Sequence, residues 1–368
     1  MRNQHNRLVR TTSQAAFSAM LITLLLSCSA DISLLRDAQR TEESMPATPY
    51  SLVFVIHGDG DYLYHDTSGT QYEADVEALA EARNIAHRNL HAEVFIFHQR
   101  PRKHFMLFFP LHDGEFYYYR NGRLIANELY WRDQDKPHFD PEVELYRLFS
   151  SDKQRVETSM FLYFGHAIPE FSGSGYDASF PDRTFTVHDL EAGLQSFARD
   201  SARFDLMVLA TCFGGTPYTI GALGSFARYI IASPDNLHLS YFDLTSLERL
   251  DLRLRNTDVS VLAKRFAHQA FERLTRDVQT AVSVAVYDAD RVQDYVRSVH
   301  PIYDHTLSTL TRDSMTAINR CDCADLPEYV QSTMNSGMMK IFYRPARFGR
   351  SKHKQSHSGW ECWQDANR

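Results

Sequence analysis

Past its first thirty residues this sequence has no apolar run approaching the ~18 residues that a membrane-spanning helix needs, so nothing there reads as a transmembrane segment. A basic patch is also missing. Asp and Glu outnumber Lys and Arg by 46 to 39, giving a formal net charge of −7. Proteins that bind nucleic acid cluster Lys and Arg against phosphates, so no nucleic-acid partner is expected. Internal repeats are absent, and cysteine is scarce, with five in 368 residues. What is present is a globular composition, 43% hydrophobic and 23% charged, long enough for a sizeable core in one or two domains. The aromatic content of 12%, mostly Tyr and Phe, suits a sheet-rich protein.

The N-terminus is set aside before any fold reasoning. Arg2, Arg7 and Arg10 precede an apolar stretch from Ala15 to Leu26, too short to span a bilayer. It ends in Leu25-Leu26-Ser27-Cys28, which resembles the lipobox of bacterial lipoproteins. That resemblance implies cleavage before Cys28, acylation of Cys28, and an exported protein anchored on the periplasmic or cell-surface side of a membrane. An ordinary secretory signal or an uncleaved anchor is the alternative. Loss of residues 1–27 removes three Arg and no acid, taking the net charge from −7 to −10. Residues 28–48 then form a polar tether. Of the other cysteines, Cys212 is assigned to chemistry below. Cys362 could bridge to Cys321 or Cys323 in an oxidising compartment.

Leu52–His57 is a continuous apolar run, the mark of a strand buried on both faces. A helical pattern over 72–89 (Val76, Leu79, Ile85) and a second buried strand over 92–97 complete a β-α-β unit with a parallel pair. Residues 105–124, with Asp113-Gly114 and Asn121-Gly122, predict a hairpin or meander that extends the sheet antiparallel. A helix is expected from Pro141 to Leu148. Further strands are expected at 159–164, 205–210 and 228–232, with helices over 187–199 and 217–226 between them. Beyond residue 245 the pattern is more helical (258–274, 289–299), with strands at 280–287 and 339–343. The expected division is a signal peptide (1–27), tether (28–48), α/β core (49–245), mainly helical extension (246–345) and flexible basic tail (346–368).

Open parallel sheets place ligands beyond the carboxyl ends of their strands. Three expected strands run into His166, Cys212 and Asp235. A thiolate nucleophile needs a nearby imidazole, and its tetrahedral intermediate needs backbone N–H donors. Gly214 and Gly215 allow a tight turn after Cys212 that leaves room for substrate. His166 precedes Cys212 by 46 residues, close to the ~50 that separate a caspase His from its Cys.

Phe161-Leu-Tyr-Phe-Gly-His166, Asp205-Leu-Met-Val-Leu-Ala-Thr-Cys212 and Tyr229-Ile-Ile-Ala-Ser-Pro-Asp235 resemble the clostripain-like branch of the caspase-fold cysteine peptidases. The resemblance covers residues 50–245, with a further similar segment at 280–298. It implies a caspase-like three-layer αβα sandwich around a mostly parallel sheet and a cysteine endopeptidase acting on peptides or proteins. In that family His166 is the catalytic His and Cys212 the nucleophile. The amides of Cys212 and Ala167 hold the oxyanion, and Asp235 favours Arg or Lys before the scissile bond, a directional bidentate pairing. Two positions depart from the family: Ala167 where Gly is usual, and Ala210 where an Asp of the basic-residue pocket is common. Some members cleave themselves between His and Cys, an interval that here holds Arg183, Arg199 and Arg203.

No cofactor is expected. Some members of the family use calcium, but His57, Asp59, Asp61, His65 and Asp66 fit no standard zinc or calcium loop and read as a polar loop at the sheet edge. Two rivals remain. Ala210-Thr211-Cys212-Phe213-Gly214 also fits a nucleophile elbow; an α/β-hydrolase would then take Asp243 or Asp288 and His300 or His305 as partners. Alternatively, the scaffold serves an inactive lipid-anchored binding protein.

Overall fold

Strand β1 (Tyr50–His57) is buried along its whole length because both of its faces are covered. Leu52, Phe54 and Ile56 enter one core cluster, Val53 and Val55 the other. The computed structural model describes residues 48–59, 63–65, 71–106, 109–132, 139–150, 156–170, 173, 175–198, 203–235, 237, 243–254, 257–294, 296–297, 338–349 and 352. The expected signal peptide with Cys28, most of the expected tether, Cys321, Cys323 and Cys362 lie outside these residues, as do His300, His305 and nearly all of the expected tail.

After β1 come the short strands β2 (Leu63–His65) and β3 (Gln71–Glu73), then helix α1 (Ala74–Arg88) and β4 (Ala92–Gln99). Strands β5 (His104–Phe105) and β6 (Phe109–Pro110) pair only with each other. Strands β7 (Gly114–Arg120) and β8 (Arg123–Tyr130) form the hairpin, turned by Asn121 and Gly122, both at positive φ. There follow α2 (Asp140–Phe149), β9 (Thr158–Phe164), α3 (Val187–Phe197), β10 (Phe204–Ala210), α4 (Pro217–Leu223) and β11 (Ala227–Ala232). The chain ends with α5 (Leu250–Leu254), α6 (Val259–Asp277), β12 (Val282–Asp288) and β13 (Met339–Arg344).

Nine strands form one sheet in the order β13-β12-β11-β10-β9-β1-β4-β7-β8. The five central strands are parallel, and the two strands at each edge are added by antiparallel pairing. The sheet crosses residue 245: β12, from the C-terminal part, pairs with β11. One face is covered by α1, through Ala78, Ala82, Ile85 and Ala86, and by α6, through Leu262, Phe266, Ala270 and Leu274. The other is covered by α2, α3 and α4, through Val143, Leu190, Leu194, Phe197 and Ile220. This is a three-layer α/β sandwich with a mostly parallel central sheet. Among the described residues no helix is long and apolar enough to cross a membrane.

Most expected elements appear within a few residues of their predicted ends. Helix α4 stops at Leu223 rather than 226, because Phe226 N–H bonds to the Leu223 carbonyl and its own carbonyl bonds to Phe204 at the start of β10. Of the predicted meander, the part around Phe105 forms its own two-stranded ladder and does not join the main sheet.

Candidate functional site

The sheet register sets the site. Ile56 of β1 pairs with Phe164 of β9, and Phe164 pairs with Ala210 of β10. Gly165 N–H reaches the Ala210 carbonyl at 3.4 Å, continuing the ladder by one step. His166 and Cys212 therefore each stand two residues past paired positions on adjacent parallel strands, which lie ~4.8 Å apart. Both emerge at the carboxyl rim of the sheet, on neighbouring loops.

The turn after β10 is built around small residues. Phe213 adopts φ of +53°, a left-handed conformation that costs an L-residue about 1–2 kcal/mol. A Cβ on Gly214 would come within 2.8 Å of Thr211 Oγ1, and one on Gly215 within 2.5 Å of the Tyr287 hydroxyl. Tyr287 donates instead to the Gly215 carbonyl at 3.0 Å. The amides of Phe213 and Gly215 bond to the carbonyls of Asp235 (3.1 Å) and Ser233 (2.9 Å), stitching the turn to the loop after β11. Thr216 caps α4 by accepting from Thr219 N–H, and its hydroxyl donates to Glu170. Because Glu170 follows His166 in the same loop, that bond ties the histidine loop to the cysteine turn.

Cys212 is half-buried and rests against the α1/α6 core. Its Sγ lies between the two polar groups of Leu237, accepting from the N–H at 3.2 Å and donating to the carbonyl at 3.3 Å. Burial pushes the thiol pKa up; the Leu237 amide opposes that and the carboxylate of Asp235 adds to it. Asp235 thus stands half-buried beside the sulfur, where the sequence put an acid.

His166 is partly exposed, and its Nε2 lies 2.7 Å from Oδ2 of Asp59, whose side chain is 4% exposed. Asp59 stands two residues past the end of β1. The sequence reading grouped it only with a polar loop. The signal that could have singled it out is its offset from the strand end, which matches those of His166 and Cys212. His57 is different: it is fully enclosed and stacked on Tyr176 with ring centroids 4.2 Å apart. Its Nδ1 lies 3.2 Å from Gln99 Oε1. Burial, and then Arg132, drive its pKa far down, so it is a neutral packing residue and not a base. Of the remaining cluster, Asp61 and Asp66 lie outside the described residues, as does the side chain of His65. Among the described residues no group of three His, Cys, Asp or Glu side chains is close enough to hold a metal ion.

Beside the site runs a buried charged network. Arg183 donates to Asp113 Oδ2 at 3.1 Å and lies 3.7 Å from Asp177 Oδ2. Arg132 and His57 lie 3.9 and 3.8 Å from the same oxygen. Arg183 is therefore locked inside the fold rather than presented for cleavage. Arg203 pairs with Asp290 by two bonds of 2.7 Å at the amino end of β10, the rim opposite Cys212. Arg199 lies outside the described residues.

The hydrolase alternative fares poorly on geometry. Asp288 pairs with Tyr229 near the start of β11, which also puts it at the opposite rim from Cys212. Asp243 caps the short turn that follows it, accepting from Thr245.

No protein-family model matches the chain, and no relative is found among curated proteins. Solved structures similar to it include C11 cysteine proteases. One is a secreted C11 cysteine protease from Bacteroides thetaiotaomicron in complex with an irreversible peptide inhibitor, at 12% identity over 72% of each chain, TM-score 0.48. Another is an inactive zymogen C11 protease from Parabacteroides distasonis, at 12% identity over 77% of this chain and 72% of that one, TM-score 0.45. At such identities no residue role is carried across, and each remains a protein that this chain is similar to.

Proposed function

We propose that this chain is an exported cysteine endopeptidase in which Cys212 is the nucleophile and His166 the base. The observation that carries the reading is the matched register of the two residues past adjacent parallel strands. In this reading the imidazole takes the thiol proton as Sγ attacks the scissile carbonyl carbon. The oxyanion is held by the amides of Cys212 and Ala167, since those of Phe213 and Gly215 are taken by the β11 loop. His166 then delivers the proton to the leaving amine, the C–N bond breaks, and water hydrolyses the thioester with His166 again as base. The Leu237 carbonyl must release the S–H before attack, because a thiolate has no proton to donate.

Asp235 is the acid that would favour Arg or Lys before the scissile bond. Ala210 leaves it without the second acid common in the family. Cys28 would carry the lipid anchor that holds the enzyme at a membrane. No cofactor is assigned to the reaction. A second reading, an inactive binding protein on the same scaffold, is favoured by one observation: burial keeps Cys212 as a thiol.

A panel of fluorogenic peptides with Arg, Lys, Asp or Asn before the reporter group separates the two readings. The peptidase reading expects turnover of the Arg and Lys substrates, abolished by Cys212→Ala. No turnover of any peptide, together with no labelling of Cys212 by a peptidyl chloromethyl ketone, supports the binding protein.

A further inference from the structure

We infer that Asp59 is a positioning residue of this site, holding the His166 imidazole by its Nε2–H so that Nδ1 is the nitrogen that serves Cys212. The inference rests on the peptidase reading and deepens it to an acid–base–nucleophile line across three strands. Asp59, His166 and Cys212 each stand two residues beyond the ends of β1, β9 and β10. These strands are adjacent in that order.

The contact has the geometry of a charge-assisted hydrogen bond: 2.7 Å from Nε2 to a carboxylate that is almost wholly shielded from water. A carboxylate can only accept, so in the neutral ring it selects the tautomer with the proton on Nε2 and leaves the basic lone pair on Nδ1. When His166 takes the thiol proton, the same carboxylate faces the imidazolium and stabilises it.

Asp59 is itself rigidly placed. Gly58 N–H bonds to the Gln99 carbonyl at 2.7 Å. A Cβ on Gly58 would lie 2.3 Å from the Asp75 carboxylate, so the loop passes too close to α1 for any side chain there. Asp75 is fixed in turn by His98 at 2.9 Å. The other imidazole near Asp59, His57, is buried and neutral and does not compete for the proton.

The test has two arms. In full-length Cys212→Ala protein, whose Asp59 is intact, nitrogen NMR of His166 reads the tautomer without any need for activity. The expected result is a proton on Nε2, lost from that site in the Asp59→Ala, Cys212→Ala double variant. In the active chain, Asp59→Asn and Asp59→Ala are expected to lower kcat by ~10²-fold or more, by analogy with the acid partner of other triads, with KM little changed. A merely structural role for Asp59 would neither fix the tautomer nor lower kcat without changing KM. An Nδ1-protonated ring, or an Asp59→Ala enzyme with unchanged kcat, overturns the inference. If the wild-type chain turns over no peptide, the peptidase reading fails, and the NMR arm still decides the tautomer.

Discussion

The backbone of Leu237 brackets the sulfur of Cys212, with its N–H at 3.2 Å and its carbonyl at 3.3 Å. The carbonyl contact exists only for the thiol, and together with burial it opposes ionisation. The sign follows directly: in the resting protein the thiolate fraction at neutral pH is lower than for an exposed cysteine. Alkylation of Cys212 by iodoacetamide is expected to be slow at pH 7 and to rise with a midpoint above the ordinary thiol value of about 8.5. Mass spectrometry of the labelled peptide across pH measures it, and a midpoint below that value would contradict the bracketed thiol.

His98 ties the stability of the fold to pH through two carboxylates. Its ring lies between Asp75, at 2.9 Å, and Glu115, at 3.7 Å. Burial alone would lower the pKa of His98, but its hydrogen bond to Asp75 and the nearby negative charge of Glu115 outweigh it and hold the pKa above the usual value. Glu115 is held down at about 2, chiefly by the His98 ring beside it. The raised histidine contributes stability in full below its unfolded pKa of about 6.5 and loses it as pH rises through the folded value. The depressed glutamate contributes above its unfolded value of about 4.3 and loses it as pH falls toward 2. The Tm lost in His98→Gln relative to wild type should therefore be greatest and level between these limits and shrink as pH rises beyond them. An unchanged pH–Tm curve in that variant would refute the pairing.

Gly215 has no room for a methyl group. A Cβ there would meet the Tyr287 hydroxyl at 2.5 Å and the Pro234 nitrogen at 2.9 Å. Gly215→Ala is expected to cost about 1–3 kcal/mol in urea unfolding, the usual penalty of overpacking. Tyr287→Phe removes the nearer obstacle and one hydrogen bond, so alone it should cost about 1 kcal/mol. The double variant should be more stable than additivity predicts, a coupling that a cycle of the four proteins measures.

Asp177 faces Arg132, Arg183 and His57 from a fully buried position. Asp177→Ala would leave two guanidinium groups short of a counter-charge in the interior, and removing one partner of a buried ion pair costs about 3–5 kcal/mol. The same burial protects Arg183: limited trypsin digestion of the native chain should spare the bond after it. Rapid cleavage there would show that the network opens.

The sheet was legible because its central strands are buried on both faces, and runs such as Leu52–His57 and Ser159–Phe164 cannot alternate with polar residues. Parallel order followed from the helical patterns between them. His166, Cys212 and Asp235 were singled out because each closely follows such a run. Asp59 was not, although it also follows one, because Gly58-Asp59-Gly60 has the composition of any turn and its value depends on β1 lying beside β9. That adjacency is a long-range fact of the sheet, with β1 and β9 separated by about a hundred residues of intervening chain. The Leu237 contact was equally hidden, since it depends on how the loop after β11 folds back. The lock on Arg183 depends on Asp113 and Asp177, which no local pattern ties to it.

The central claim is that His166 activates Cys212 toward a peptide carbonyl. The most direct measurement is covalent labelling by a peptidyl chloromethyl ketone ending in Arg, followed by peptide mapping of the wild-type, His166→Ala and Cys212→Ala chains. Rapid modification of Cys212 in the wild type, slowed at least ~100-fold by His166→Ala and absent in Cys212→Ala, is the predicted result. Labelling of Cys212 at the same rate with and without His166, or labelling at some other residue, would contradict it.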